Sequence, residues 1–479
     1  MAERLVIIGG VAAGMSAAAR ARRLNPALEI VVYEKSGYVS YGACGFPYFI
    51  KGEIADIDAL IARTPAEFAR QDIQVHLRHE VLAIEPETRT VRVHNHLSNQ
   101  TFTDHWDKLI LTAGAVANRL PLPGLDLRGV FSLRTVEDAL AIRRWLAEQQ
   151  PKRGVIIGGG YIGLEMAEAL AAHGLHVTVI EALPQVMPTL DVEMAGHVEA
   201  ELKSQQVDLR LGQSVNALEG DRLVREVVAR VLPKLPAGSA FSPAPLSVET
   251  ISQTARVRAV YTGDTAVEAD LVIFAVGAKA NVPLATKAGI ALGPTGAVAV
   301  DDRQQTNLPH VWAAGDVAEA HHRVTHRPAF MPLGTTANKQ GRVAGTNAAG
   351  SEARFGGIVG TAVVKVFDLE VAHTGLAEKE ANRLGFETAS VTISASSRAH
   401  YMPGHQPVEL KLVYEKGSQR LLGAQMIGRE GVAKRIDVLA AALHAGWTTF
   451  DLADLDLSYA PPFAPVWDPI LVAANVANK

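Results

Sequence analysis

The chain has 479 residues, 48% hydrophobic and 20% charged, the balance of an ordinary globular protein long enough for about three domains. Its formal charge of −4 at pH 7 provides no global basic field, so nucleic acid is not an expected partner. A single cysteine, Cys44, excludes an intrachain disulfide and fits the reducing cytoplasm, where we expect the protein to reside.

In chain order, MAERLVIIGG runs straight into a strand and lacks the layout of a secretory signal. Arg4 to Ile8 is a short apolar run, predicted as a buried parallel strand. An alanine-rich helix is predicted over Val11 to Leu24 and a second strand over Glu29 to Tyr33, ended by Glu34. The pattern returns with a strand at Gly154 to Ile157, a helix at Tyr161 to His173 and a strand at His176 to Ile180, ended by Glu181. The apolar stretch Val155 to Leu183 is no membrane span, because Gly158, Gly159, Gly160 and Gly163 break it and Glu165, Glu168 and Glu181 charge it. Residues 221–256, with Pro233, Pro236, Pro243 and Pro245, read as a long surface insertion or a partly mobile hairpin. From about residue 350 onward, strand signals such as Glu409 to Tyr414 and a helical run from Gly431 to Ala445 predict an α+β domain. The expected fold class is α/β, with two Rossmann-like dinucleotide-binding domains ahead of that third domain.

Each βαβ start carries a glycine loop. Gly9-Gly10-Val11-Ala12-Ala13-Gly14 follows the first strand: Gly9 permits the tight turn, Gly14 lets helix and strand pack closely, and Val11 stands where the pattern has its middle glycine. Glu34, 20 residues after Gly14, is placed to accept from ribose hydroxyls, with Lys35 beside it. Gly158-Gly159-Gly160-Tyr161-Ile162-Gly163 is a full G-x-G-x-x-G, and Glu181 follows Gly163 by 18 residues. The Glu181 carboxylate suits NADH and would repel the 2′-phosphate of NADPH.

Three further segments end apolar strands: Ala113-Gly114, Phe274-Ala275-Val276-Gly277, and Ala313-Ala314-Gly315-Asp316. A helix from Thr335 to Ala348 follows the last, with Gly334 just before it and Ala337 within it. Cys44 lies ten residues after Glu34, in Ser40-Tyr41-Gly42-Ala43-Cys44-Gly45-Phe46-Pro47-Tyr48. This order resembles the flavoprotein disulfide reductases, the pyridine nucleotide-disulfide oxidoreductases. The resemblance implies FAD held by Gly9, Val11, Ala12, Gly14, Glu34, Lys35, Ala113, Gly114, Gly315, Asp316, Gly334, Thr335 and Ala337. It implies NADH on Gly158, Gly160, Tyr161, Ile162, Gly163, Glu181 and Gly277. Tyr161 resembles the family tyrosine that covers the flavin until nicotinamide displaces it, and reads equally as a packing aromatic. The implied domains are 1–149 with 271–349 for FAD, 150–270 for NADH, and 350–479 for dimerisation.

Many members carry two cysteines five residues apart; here Val39 and Phe49 occupy those positions, so the chain resembles the single-cysteine branch. That branch holds coenzyme A disulfide reductases, NADH-dependent persulfide and polysulfide reductases, and NADH oxidases and peroxidases. In the family the redox cysteine opens the next helix, whose N-terminus favours the thiolate. The oxidases and peroxidases carry a histidine where this chain has Ala12, which lowers that reading. The segments around Tyr401 and Tyr459 resemble two tyrosine segments of coenzyme A disulfide reductases, which reach the redox cysteine from the partner subunit of a homodimer. Arg20, Arg22 and Arg23 could hold the phosphates of coenzyme A or simply form a solvated helix end, and Ser40 is a further candidate substrate contact. The family often has asparagine where this chain has Ala43, which leaves disulfide and persulfide both open. The expected activity is reduction by NADH, through FAD and Cys44, of coenzyme A disulfide or a low-molecular-weight persulfide; alternatives are an oxidase or peroxidase and a thiol redox sensor. No metal site and no membrane partner are expected.

Overall fold

The computed structural model describes residues 2–221 and 255–479. The chain divides into two compact units. The first comprises Met1–Gly45, Ala55–Val116 and Ala278–Thr361; the second comprises Phe46–Ile54, Ala117–Gly277 and Ala362–Lys479.

The first unit is built on a parallel sheet whose strands lie in the order Val311–Ala313, Lys108–Leu111, Arg4–Ile8, Glu29–Glu34, Ile73–Leu77. Leu5, Val6 and Ile7 are fully buried, as strands covered on both faces require. One face packs on the helices Ala12–Leu24 and Gly334–Ala348. Those helices cross at very short range because both offer small residues. A Cβ on Gly341 would lie 2.2 Å from the Ala13 carbonyl oxygen, and one on Gly345 would lie 2.3 Å from that of Ala17. An antiparallel sheet of His79–Glu85, Thr90–Asn95 and Gln100–His105 completes this unit's sheets apart from short two-stranded pairs.

The second unit repeats the plan. Its parallel sheet runs Asp208–Arg210, His176–Ile180, Arg153–Ile157, Leu271–Phe274, Val130–Phe131. In both units the strand entering the glycine loop is central, and beside it lies the strand that ends at Glu34 in the first unit and just before Glu181 in the second. The unit also holds a five-stranded antiparallel sheet, ordered Ala362–Val366, Leu369–Gly375, Leu421–Gly428, Pro407–Glu415, Thr388–Ser396. Leu421–Gly428 is buried throughout, and the helix Val432–Ala445 packs against it and Leu369–Gly375. The ammonium of Lys411 lies among Asp191 at 3.1 Å, Glu378 at 2.7 Å and Glu193.

Residues 222–254, most of the insertion expected at 221–256, lie outside the described residues. The residues bracketing them are adjacent: the Asp221 N–H donates to the Arg256 carbonyl at 2.9 Å, and the Arg256 N–H donates to the Asp221 carboxylate at 3.1 Å. The described residues on either side of residues 222–254 close the hairpin formed by Ala217–Gly220 and Val257–Thr262.

Candidate active site

The two glycine loops are near copies in geometry. Gly9 and Gly158 have φ of +104° and +111°, the left-handed region that glycine adopts without strain. A Cβ on Gly14 would fall 1.9 Å from the Gly9 carbonyl oxygen, and one on Gly163 would fall 2.1 Å from that of Gly158, so close packing imposes glycine at both. Each loop is held by its own glutamate. Glu34 accepts from the Gly10 N–H at 2.7 Å and the Ser36 N–H at 2.8 Å. Glu181 accepts from the Gly159 N–H at 2.7 Å and the Leu183 N–H at 2.8 Å. Two bonds leave acceptor capacity on each carboxylate for a diol.

The fit to two dinucleotides can be tested on the loops themselves. The helices Ala12–Leu24, Tyr161–Ala172 and Gly334–Ala348 begin at Val11, Gly160 and Leu333, without a side-chain cap. Their first N–H groups can therefore serve an anion. A Cβ at Gly160 would meet nothing within 4 Å, and the same holds at Gly114 and Gly334, so backbone borders open space where a pyrophosphate or ring could approach. Val11 narrows the first loop where Gly160 opens the second. Ala12 and Ile162 are half-buried, and Lys35 and Thr335 are exposed. Gly315, at φ +78°, has no room for a Cβ against Ala13, at 2.8 Å, and stands 3.5 Å from the Ala337 Cβ by the same construction. Its N–H donates to the buried Gln340 at 2.9 Å, which leaves the half-buried Asp316 at the turn. Ala113 and Gly114 offer their carbonyls to Asn281 at 3.2 and 2.9 Å. Gly277 accepts from the Asn118 N–H at 3.0 Å. The residues present fit FAD in the first unit and a pyridine dinucleotide in the second.

Cys44 is exposed and forms no disulfide. It sits in a one-turn 3-10 helix, Ala43–Gly45, directly ahead of the six-residue helix Phe46–Lys51. The expected helix opening is thus split, because Gly42 and Gly45 punctuate the segment and Gly45 packs where a Cβ would strike Leu60 at 2.2 Å. The loop is fastened ahead of Cys44, at Ser40 and Gly42. The Ser40 N–H donates to the Gly10 carbonyl at 2.8 Å, the Ser40 carbonyl accepts from the Ala62 N–H at 2.8 Å, and the Gly42 N–H donates to the Leu60 carbonyl at 2.9 Å. Ser40 is itself held at φ +52°. Cys44 is therefore four residues from a direct tie to the first glycine loop.

Tyr401 and Tyr459, 58 residues apart, meet with hydroxyl oxygens 3.0 Å apart. Their segments are joined by the Ala399 N–H donating to the Pro461 carbonyl at 3.2 Å. Both rings are exposed. The hydrogen bond with Tyr459, in which the Tyr401 phenol keeps its proton as donor, raises that phenol above its ordinary pKa. The arginines do not converge. Arg20 donates to Thr346 at 3.1 Å, Arg22 to the carbonyls of Pro26 and Asp72 at 2.6 and 2.7 Å, and Arg23 to the Ala19 carbonyl at 3.1 Å.

Sequence reasoning passed over a cluster in the second unit, using Glu165 and Glu168 only to exclude a membrane span. The Tyr48 hydroxyl, on the helix after Cys44, donates to Glu165 at 3.4 Å. Burial pushes the Glu165 carboxyl up to about 7 and, with Glu165 nearby, the Tyr48 phenol up to about 12. Glu168 accepts from Lys51 at 2.7 Å, from Lys365, and from the Phe367 N–H at 2.9 Å. The hydroxyl of Tyr161 is bonded to Nε2 of His373 and lies 3.3 Å from the Thr189 hydroxyl. The one available signal was carboxylates within an apolar helix; His373 gave none.

The model of the pyridine nucleotide-disulphide oxidoreductases matches residues 3–341, and that of their dimerisation domain matches residues 361–469. The chain is 40% identical over 478 residues to the NAD(P)H coenzyme A polysulfide/persulfide reductase of Pyrococcus horikoshii, covering 99% of this chain and 98% of the relative. It is 31% identical over 463 residues to the coenzyme A disulfide reductase of Staphylococcus aureus, covering 96% of each. The solved structure of an NAD-dependent persulfide reductase from A. fulgidus superposes with a TM-score of 0.90 at 36% identity, covering 99% of this chain and 83% of that one. No helix among the described residues is long and apolar enough to cross a membrane.

Proposed function

The chain belongs to the pyridine nucleotide-disulphide oxidoreductases, and from that membership we propose that it is an FAD-dependent reductase of coenzyme A disulfide or a coenzyme A-type persulfide, with NADH as reductant. The observation that carries this reading is the single exposed thiol, Cys44, on a loop tied to the first glycine loop through Ser40 and Gly10. With no second cysteine in the chain, the other sulfur of any disulfide at Cys44 must come from outside the chain, and on this reading it arrives on a small molecule.

Bound FAD supplies a two-electron relay between NADH and sulfur. The chain's residues do the rest. Glu34 and Glu181 would hold the ribose diols of the two dinucleotides, and the uncapped helix starts would serve their phosphates. The Cys44 thiolate attacks a coenzyme A disulfide, forming a Cys44–coenzyme A mixed disulfide and releasing one coenzyme A thiolate. Two electrons, delivered from NADH, then cleave the mixed disulfide, restoring the Cys44 thiolate and releasing the second coenzyme A. With a persulfide, attack at the outer sulfur leaves a Cys44 persulfide and releases coenzyme A, and the two electrons release hydrosulfide. Tyr401 and Tyr459 of the partner subunit hydrogen-bond the departing thiolate and supply its proton. Their paired, exposed hydroxyls support that role, and the match to the dimerisation domain supports the homodimer it needs. Glu181 favours NADH over NADPH. An exposed thiol that must return to the reduced state fits the cytoplasm.

Mass spectrometry of the Cys44 peptide tests the reading. Coenzyme A disulfide, added without NADH, is expected to leave one coenzyme A on Cys44, and one equivalent of NADH is expected to remove it. An unmodified Cys44 after treatment with both coenzyme A disulfide and coenzyme A persulfide would refute the reading.

A further inference from the structure

A cavity of about 380 Å³ in the second unit is lined by Arg210, Gln213, Ser214, Thr262 and Thr265, with Gly212 and Gly263. Arg210 is the last residue of the edge strand Asp208–Arg210, which pairs in parallel with His176–Ile180. Ligands of such sheets gather beyond the carboxyl ends of the strands. Three backbone hydrogen bonds join the lining segment to the turn that carries Glu181. The Glu181 N–H donates to the Arg210 carbonyl at 2.9 Å, the Gly212 N–H to the Leu183 carbonyl at 2.9 Å, and the Gln213 N–H to the Glu181 carbonyl at 3.0 Å. The cavity thus adjoins the backbone of the residue that would hold the second dinucleotide's ribose diol. Its lining offers donors and no carboxylate. Arg210 engages Asp208 through Nε alone, at 3.0 Å. Its Nη groups and the hydroxyls of Ser214 and Thr265 have no hydrogen-bond partner among the described residues. The Thr262 hydroxyl donates to the Gln213 side-chain oxygen at 3.2 Å, which leaves the amide nitrogen as a donor. A guanidinium with both terminal nitrogens available suits the oxygens of a phosphate. Glu181 alone would repel a phosphate on the ribose 2′ oxygen, and an arginine close by offsets that repulsion.

We infer that Arg210 is a specificity-determining residue of the reductant site, whose guanidinium, with the Ser214 and Thr265 hydroxyls, receives a phosphate monoester on the 2′ oxygen of the dinucleotide's adenosine ribose. The inference rests on the reading that the second glycine loop binds a pyridine dinucleotide. Glu181 sets the preference for NADH, and Arg210 limits it.

The test is equilibrium titration of the purified holoenzyme with NAD+, NADP+ and inorganic phosphate. Arg210→Ala is expected to weaken NADP+ by about tenfold or more and NAD+ by less than about twofold, because only the 2′-phosphate loses a charged hydrogen-bond partner. Arg210→Lys keeps the charge without the planar fork and should fall between wild type and Arg210→Ala. Asp208→Asn removes a competing anion from Arg210 and should tighten NADP+ alone. Absence of NADP+ binding by the wild type would overturn the assignment. So would an unchanged ratio of the two affinities in Arg210→Ala, whether both hold or both fall together. If Arg210→Ala does not fold, Arg210→Lys decides by the same ratio. Inorganic phosphate separates two sources of the anion: on this assignment it competes with NADP+ and not with NAD+. Phosphate that binds alongside NADP+ and is lost in Arg210→Ala would make the cavity a site for free phosphate and overturn the 2′ assignment. Gly160→Val separates the role of Arg210 from the reading beneath it. If Gly160→Val binds both dinucleotides like wild type, the second loop is not their site. If Gly160→Val loses both while Arg210→Ala leaves their ratio unchanged, only the role of Arg210 fails.

Discussion

Glu165 and His322 titrate in opposite directions, and their signs can be worked out. Burial raises the Glu165 carboxyl from 4.5 to about 7. The folded state therefore holds a proton that the unfolded chain releases between those values, and stability falls as pH rises through that window. Burial lowers His322 from 6.5 to about 4, so its neutral form is favoured in the fold, and stability is lost as pH falls through that range. The two slopes oppose one another across most of the same interval. Glu165→Gln removes the first and leaves the second. Relative to wild type, the variant is expected to gain roughly 2 kcal/mol between pH 5 and pH 8, read from denaturant unfolding at both values. A stability difference that does not change between those pH values would show that Glu165 is not held protonated by its surroundings.

At the scale of elements, the helices Ala12–Leu24 and Gly334–Ala348 depend on the absence of side chains at their crossing. Gly341→Ala would place a Cβ 2.2 Å from a backbone oxygen, which forces the helices apart at a cost of about 1–3 kcal/mol and weakens FAD retention. Gly196, in the helix Val192–Ser204, has nothing within 4 Å of its Cβ position, so Gly196→Ala is expected to stabilise by up to about 1 kcal/mol. Thermal unfolding of the two variants checks the contrast, and a shared sign would contradict the crossing as described. Elements of this kind were legible in sequence. The strand His176–Ile180 has the predicted bounds, and Arg153–Ile157 differs by one residue, because buried apolar runs bounded by glycine carry their own punctuation. The turn at Cys44 was less legible, since its split follows from Gly45 packing on Leu60, a tertiary contact. The pairs Tyr48–Glu165 and Tyr161–His373 lie 117 and 212 residues apart. Spacing within a motif cannot announce such partners.

For the whole molecule, the duplication is the organising fact. Two parallel sheets of the same plan present two glycine loops, each held by a glutamate through two backbone N–H groups. The copies have diverged where their ligands differ. Val11 stands opposite Gly160, and Ala12 opposite Tyr161, so the second loop alone carries an aromatic residue held by another strand. The sequence grouped the segments of Tyr401 and Tyr459, and their hydroxyls lie 3.0 Å apart within one chain. It could not anticipate that the three arginines of the first helix disperse onto Thr346, Pro26, Asp72 and Ala19, because a helix places neighbouring side chains about 100° apart.

The account turns on Cys44 as the one station between NADH and an external sulfur. Anaerobic single-turnover spectroscopy of the holoenzyme tests this most directly, with NADH added first and coenzyme A disulfide or coenzyme A persulfide second. The wild type is predicted to bleach its flavin with NADH and recover the colour with at least one of the two sulfur substrates. Cys44→Ser is predicted to bleach and stay bleached with both. Recovery of Cys44→Ser at the wild-type rate would contradict the account.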